Sequence, residues 1–148
     1  MASWADFETR APDFAPRVRG LLAVRKHLTI ATLRRDGSPR ISGTEIQFRG
    51  DDLVIGSMPR SVKALDLLRD PRVAIHGPTS DPPEGDALGW AGEAKVAGVA
   101  RRLPDQEGAL FFAIDIGEAV ITRLNSRGDR LVVESWTAAR GYRRFERE

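Results

Sequence analysis

The stretch of sequence that decides the fold is LVIGSMPRSVKALDLLRDP, residues 53–71. It begins as a short apolar strand over Leu53 to Gly56, and a helix over Ser61 to Asp70 follows, since its apolar side chains recur at helical spacing. The proline after Asp70 ends the helix. Arg60, Ser61 and Lys63 therefore stand together at the amino-terminal end of this helix.

Two cations at a helix start are unusual, because that end already carries partial positive charge and free N–H groups. A bound phosphate would resolve the conflict, with the Ser61 hydroxyl and the helix amides as donors and Lys63 and Arg60 as counter-charges. The simpler interpretation is an ordinary serine N-cap flanked by two solvated cations. Both interpretations stay open on spacing alone.

Upstream of this stretch, the sequence predicts a helix followed by a β-meander. Apolar residues at helical spacing between Asp13 and Lys26 favour an amphipathic helix that starts at the preceding proline. His27 to Leu33 alternates and is rich in β-branched residues, and RDGS at 35–38 is a hairpin turn signal. Pro39 to Phe48 then continues as the second strand.

Downstream, Arg72 to His76 reads as a buried strand, and the Pro-, Asp- and Gly-rich segment 77–89 as a loop. We expect a long strand over Trp90 to Arg102 and a short helix from Pro104 toward Leu110. A closing hairpin is expected over Phe112 to Leu124 and Leu131 to Trp136. The segment after Thr137 is arginine-rich, and it is either a solvated tail or an arm that reaches an anionic ligand across a dimer.

Six to seven strands joined mainly by hairpins, with an N-terminal helix and a helix inserted after the third strand, predict an antiparallel split β-barrel, mainly β within the α+β class. A doubly wound parallel sheet is not expected, because alternating βα units, a G-x-G-x-x-G motif and a Walker loop are all missing. The length of 148 residues suits one domain over 1–148.

The composition of the chain argues against several classes of function. The net charge is only +2 and the charges are interspersed, so no nucleic-acid partner is expected. With no cysteine, thiolate metal sites and cysteine nucleophiles are excluded, and His27 and His76 stand alone without metal-ligand spacing. No apolar run is long enough to span a membrane and no signal peptide is recognisable, so we expect no membrane partner and a cytoplasmic location.

The order of these motifs resembles that of a known family. The strand at 53–57, the S-x-K motif at 61–63 and DPRVA at 70–74 look like the flavin-phosphate segment of the pyridoxamine 5′-phosphate oxidase-like superfamily. The hairpin ATLRRDGSPR at 31–40 resembles the opening strands of that family, and the order of elements agrees over about residues 18–136. The resemblance implies a homodimer that binds FMN between its subunits and carries out redox chemistry on a small-molecule substrate.

The resemblance also implies positions for the cofactor contacts. By position these are Arg60, Ser61 and Lys63 for the phosphate; Arg40, Ile41, Ser42 and Gly43 beside the ring; and Gly56, Ser57 and Met58 along the ribityl chain. Trp136 either stacks on the cofactor or packs in the barrel. No catalytic acid, base or nucleophile is identified.

The end of the chain departs from the family pattern. True pyridoxamine-phosphate oxidases carry an Arg-x-His signature there, whereas this chain reads RGYRRF at 140–145, so the vitamin B6 reaction itself is in doubt. Two alternatives to an FMN oxidoreductase stay open. One is a reductase that depends on the deazaflavin coenzyme F-420, with additional arginines meeting the acidic tail of that coenzyme; the other is a non-catalytic flavin-binding or storage protein.

Overall fold

The computed structural model describes residues 1–148 as three α-helices, nine strands and one short 3-10 turn. The helices are α1 (Trp4–Arg10), α2 (Ala15–Leu22) and α3 (Val62–Arg69). The strands are β1 (Leu28–Leu33), β2 (Pro39–Thr44), β3 (Ile46–Arg49), β4 (Asp52–Ser57), β5 (Arg72–His76), β6 (Glu93–Gln106), β7 (Ala109–Leu124), β8 (Leu131–Thr137) and β9 (Gly141–Arg147). None of the helices is long and apolar enough to cross a membrane.

All strand pairs are antiparallel, in the order β2-β1-β5-β6-β7-β4-β3, with β8 and β9 added beyond β7. The long strand β7 pairs with different strands along its length, and this divides the barrel into two parts. Its first part, Leu110 to Ile114, pairs with β4, and its later part, Glu118 to Leu124, pairs with β8. The predicted antiparallel split barrel of the α+β class is confirmed.

The core lies between the inner face of the sheet and the helices. Alternate residues of β1 are buried, including Leu28 and Ile30, as strand periodicity requires. At the end closed by α1, Phe7 packs on Trp136 with a ring-centroid distance of 4.6 Å. On the other side, α3 lies over β1 and buries Ala64 and Leu67.

The structure corrects several predictions of local structure. The expected helix from Pro104 to Leu110 is the end of the β6–β7 hairpin, where Gln106 pairs with Ala109. The turn between them has left-handed backbone at Glu107 (φ 51°) and Gly108 (φ 77°). Two such residues form the tight turn that matches the twist of paired strands, so the hairpin outweighs the local helix signal.

The count of six to seven strands was too low. The expected strand Pro39 to Phe48 is interrupted at Glu45, and its second part is β3, which pairs with β4 instead of β1. The inserted helix therefore follows the fourth strand. The arginine-rich segment after Thr137 is β9, an edge strand paired along the whole of β8.

The helix α1 was missed. Seven residues give little helical periodicity, but Ser3 caps the helix by accepting a hydrogen bond from the amide of Asp6. The residues Trp4 and Phe7 are buried against the barrel, so tertiary packing stabilises this short helix.

Candidate functional site

A polar groove opens where β2, β4 and the start of α3 meet. Its volume is about 410 Å³. Its walls are His27, Gly43, Thr44, Glu45, Gly56, Ser57, Met58, Ser61 and Lys63. Six of the predicted cofactor contacts, from three separate elements, therefore line a single groove: Gly43, Gly56, Ser57, Met58, Ser61 and Lys63.

The start of α3 presents hydroxyl groups and amides to this groove. Ser61 is the N-cap, and its Oγ accepts from the amide of Ala64 at 3.3 Å. The Oγ atoms of Ser57 and Ser61 lie 2.5 Å apart, so the two hydroxyls form a linked pair. The amides of the first helical turn have no acceptor within the helix, which makes this end suited to an anion.

The side chain of Lys63 bridges the groove. Its Nζ donates to the backbone carbonyl of Gly43 at 2.8 Å, which joins α3 to β2. Burial lowers the pKa of Lys63, and the neighbouring carboxylate of Glu45 partly opposes this effect. Arg60 lies in the loop just before α3. Its side chain is exposed and has no hydrogen-bond partner or ion pair within the protein.

An apolar groove of about 380 Å³ lies on the outer face of the sheet. Ile41, 74% exposed, lies on this face together with small residues of β1 and β5 such as Ala31 and Ala74. Since Ile41 and Gly43 are two residues apart on β2, they share one face of that strand. Ile41 of the apolar groove and Gly43 of the polar groove are thus neighbours along β2, although the two grooves share no lining residue.

Three other predicted contacts lie elsewhere. Arg40 and Ser42 alternate with Ile41 and are half-buried on the opposite face of β2. The Nε of Arg40 donates to the buried carboxylate of Asp66 at 2.7 Å. Neither of them lines the groove that contains Gly43 and Lys63, although Thr44, on the same face of β2, does.

Trp136 is a core residue. It is only 1% exposed, it packs on Phe7, and the guanidinium of Arg10 lies 5.0 Å from its ring centroid. The packing alternative is the one that the structure shows, since α1 and its side chains cover the indole. From this position Trp136 cannot stack on a cofactor.

Two titratable side chains of the polar groove were not predicted. Glu45 lies at the break between β2 and β3, and His27 lies just before β1, with its Nδ1 3.8 Å from Glu45. The sequence marked His27 only as an isolated histidine without metal-ligand spacing, and its side chain is 80% exposed at the edge of the groove. Glu45 stands at the break between β2 and β3, and no sequence signal marks that break.

Comparison with known proteins agrees with the fold. The family model described as pyridoxamine 5′-phosphate oxidase matches residues 14–135. No curated protein matches the sequence.

Solved structures with this fold have low sequence identity. A pyridoxamine 5′-phosphate oxidase-related, FMN-binding protein from Nostoc punctiforme is 12% identical with a TM-score of 0.63, over 100% of this chain and 98% of the other. PhzG from Burkholderia lata, solved with tetrahydrophenazine-1-carboxylic acid, is 11% identical with a TM-score of 0.63, over 96% and 90%.

A haem-binding protein from Mycobacterium smegmatis is 13% identical with a TM-score of 0.55, over 88% of this chain and 86% of the other. At these identities the neighbours establish the shared fold alone. The family model covers most of the chain, from α2 to β8. By that match and by its split barrel, the chain belongs to the pyridoxamine 5′-phosphate oxidase family.

Proposed function

We propose that this protein is an FMN-binding oxidoreductase that transfers hydride to or from a small molecule. The observation that carries the proposal is the convergence of Ser57, Ser61 and Lys63 on the amino terminus of α3, inside one groove. Hydroxyl groups, free amides and a partly buried ammonium form a donor set suited to a phosphate ester. The FMN-binding neighbour from Nostoc punctiforme supports this choice of cofactor.

In this proposal the polar groove takes the phosphate end of FMN and the apolar groove takes the ring. In this arrangement Ser61, Lys63 and Arg60 hold the phosphate in the polar groove, with Gly56, Ser57 and Met58 along the ribityl chain. The flavin ring needs a flat apolar wall, and the outer face of β2 near Ile41 supplies one. Arg40, Ser42 and Trp136 are left out of this arrangement because none of them lines either groove.

A homodimer completes the proposed site. The apolar face around Ile41 is open in a single chain, and a second copy would cover both this face and the ring. A cytoplasmic location remains a prediction of the sequence.

Bound FMN would supply reversible hydride chemistry, and the chain itself would bind, orient and exclude water. Lys63 would fix the phosphate, and the covered apolar wall would keep water from the ring. The polar groove also contains one carboxylate, Glu45, and one imidazole, His27, which in this arrangement lie at the phosphate end and not beside the ring.

The first experiment is a spectrum of the purified protein, followed by titration with FMN. We expect flavin absorbance or FMN binding, and Lys63→Ala and Ser61→Ala should each weaken binding by about tenfold or more, because charge-assisted phosphate contacts are lost. The matched controls are Arg143→Ala and Ser126→Ala, which remove an exposed cation and an exposed hydroxyl away from the groove. If Lys63→Ala binds FMN as the wild type does, the site is wrong.

The deazaflavin alternative has an observation in its favour: arginines make up 20 of the 23 cationic side chains, since only Lys26, Lys63 and Lys95 are lysines. Those arginines would meet an acidic cofactor tail. Tighter binding of coenzyme F-420 than of FMN would select this reductase. Binding without turnover of any electron donor would instead favour the storage protein, and a Soret band would point to haem, which the neighbour from Mycobacterium smegmatis binds.

A further inference from the structure

A second cavity lies on the other side of β2, between the β1–β2 hairpin and α3. Its volume is about 490 Å³, within the range of small-molecule sites. It is lined by Arg34, Arg35, Asp36, Arg40, Val62, Leu65, Asp66 and Arg69. This arginine pocket shares no lining residue with the polar groove, although both extend to the first turn of α3.

The charges in the arginine pocket do not cancel. Four arginines and two aspartates line it, so its net charge is +2. Asp66 pairs with two of the arginines, at 2.7 Å from Arg40 and 2.9 Å from Arg69. The other aspartate, Asp36, accepts hydrogen bonds from the hydroxyl and the amide of Ser38 and forms no ion pair.

Several guanidinium donors in the pocket have no protein partner. Arg35 makes no hydrogen bond or ion pair, and Arg34 donates only through Nη1, to the carbonyl of Pro39 at 2.7 Å. Arg40 donates only through Nε, although its side chain is just 24% exposed. Its two Nη groups are therefore held in place by Asp66 and remain free to donate.

We infer that this pocket binds a compact organic anion with two or more negative charges, carried by carboxylate or phosphate groups. The free forks of Arg34, Arg35 and Arg40 match both kinds of oxyanion in bidentate geometry. A net charge of +2 requires at least two negative charges for neutralisation. The exposed side chains of Val62 and Leu65 provide contact for the carbon part of the ligand. This site is independent of the proposed FMN groove.

Asp66 pre-organises the pocket. Its carboxylate is 2% exposed and holds Arg40 from β2 and Arg69 from α3 at fixed positions, with a further hydrogen bond from Thr32 at 2.7 Å. Arginines fixed in this way lose less conformational freedom when a ligand binds.

Calorimetric titration of the full chain with citrate and, separately, pyrophosphate tests the inference. We expect millimolar or tighter binding of at least one of these anions, with citrate preferred by a carboxylate site and pyrophosphate by a phosphate site. The double variant Arg34→Gln/Arg35→Gln should weaken binding by about tenfold or more. The control Arg143→Gln/Arg147→Gln removes the same charge from exposed, unpaired arginines of β9 and should change affinity less than about twofold.

Amide chemical shifts of the wild-type protein give a second readout that needs no variant. On addition of the anion, shifts should move in residues 34–40 and 62–69, and FMN affinity should be unchanged in Arg34→Gln/Arg35→Gln. Equal weakening in both double variants means that only diffuse charge attracts the anion and overturns the inference. Absence of binding up to about 10 mM, or shifts confined to the groove around Ser57 and Gly43, would also overturn it.

Discussion

At the scale of single residues, two buried carboxylates fasten the helices to the barrel. Asp66 joins α3 to the β1–β2 hairpin through Thr32 and Arg40. Burial acts to raise its pKa, but the hydrogen bonds from Arg40, Thr32 and Arg69 outweigh burial and hold the pKa at about 2. The helix that carries Ser61 and Lys63 is thereby locked to the strand that carries Gly43.

Glu134 connects the second N-terminal helix, α2, to the barrel in the same way. Arg17 of α2 binds its carboxylate with two hydrogen bonds, at 2.6 Å and 2.8 Å, and Arg123 and the Tyr142 hydroxyl complete the set. The hydrogen bond from Arg17 lowers the pKa of Glu134 to about 2, against the opposing effect of burial. The carboxylate of β8 thus connects α2, β7 and β9.

These two groups predict acid sensitivity. Their pKa values are lower in the folded chain than the ordinary 3.8 and 4.5, so their contribution is present above pH 5 and is lost as the pH falls toward 2. Each contributes on the order of 2–3 kcal/mol. Urea unfolding of the wild type should therefore give a much lower free energy of unfolding at pH 3 than at pH 7.

The variants Asp66→Asn and Glu134→Gln should be less stable at pH 7 and should lose less on acidification. Asp81→Asn, in an exposed loop, is the control and should follow the wild type. A pH dependence that is the same in Asp66→Asn and the wild type would contradict this role for Asp66.

At the scale of the elements, the β6–β7 pair depends on a glycine at a bulge. The register shifts between Ala97 and Gly98, and a Cβ at Gly98 would lie 1.8 Å from the carbonyl oxygen of Asp115. The partner strand would have to move, so Gly98→Ala should destabilise the fold by about 2 kcal/mol or more. Gly20→Ala is the matched control, because a Cβ in α2 meets nothing within 4 Å and alanine favours the helix.

Chemical denaturation gives the free energy of unfolding of the wild type and of both glycine variants. The expected order of stability is Gly20→Ala equal to or above the wild type, and Gly98→Ala well below it. Equal stability of the two variants would show that the bulge is not needed.

The elements that the sequence predicted well are those with local signals. The strand at Leu53, the Ser61 cap and the amphipathic helix that ends before Pro71 all depend on contacts within a few residues, and the structure has each of them. The β6–β7 turn at Glu107 and the pairing of β9 with β8 depend on partners far along the chain, so local patterns could not identify them.

In the candidate site, too, local patterns could be read from the sequence and long-range contacts could not. Strand alternation separates Ile41 and Gly43 from Arg40 and Ser42, but the resemblance assigned all four to the flavin ring without regard to faces. Which face of β2 meets α3 is set by the Asp66 contacts, and these cross 26 residues of sequence.

At the scale of the whole molecule, the outer apolar face predicts self-association. Ile41 is 74% exposed, and the groove beside it contains Ala31 and Ala74. A charge placed at the centre of a buried dimer face is costly, so Ile41→Glu should shift the protein toward the monomer and weaken FMN binding. Val24→Glu, at an exposed apolar residue outside this groove, should do neither.

Light scattering after size-exclusion chromatography measures the association state of both variants. A wild-type protein that is monomeric at all concentrations would contradict a shared site.

The most direct test of the account as a whole compares the affinity of the wild-type protein for FMN and for riboflavin, which lacks the phosphate. The groove at the start of α3 is proposed as a phosphate site, so FMN should bind about a hundredfold more tightly, and this advantage should shrink strongly in Lys63→Ala. Equal affinity for the two flavins, or an FMN preference that Lys63→Ala leaves intact, would contradict the central claim.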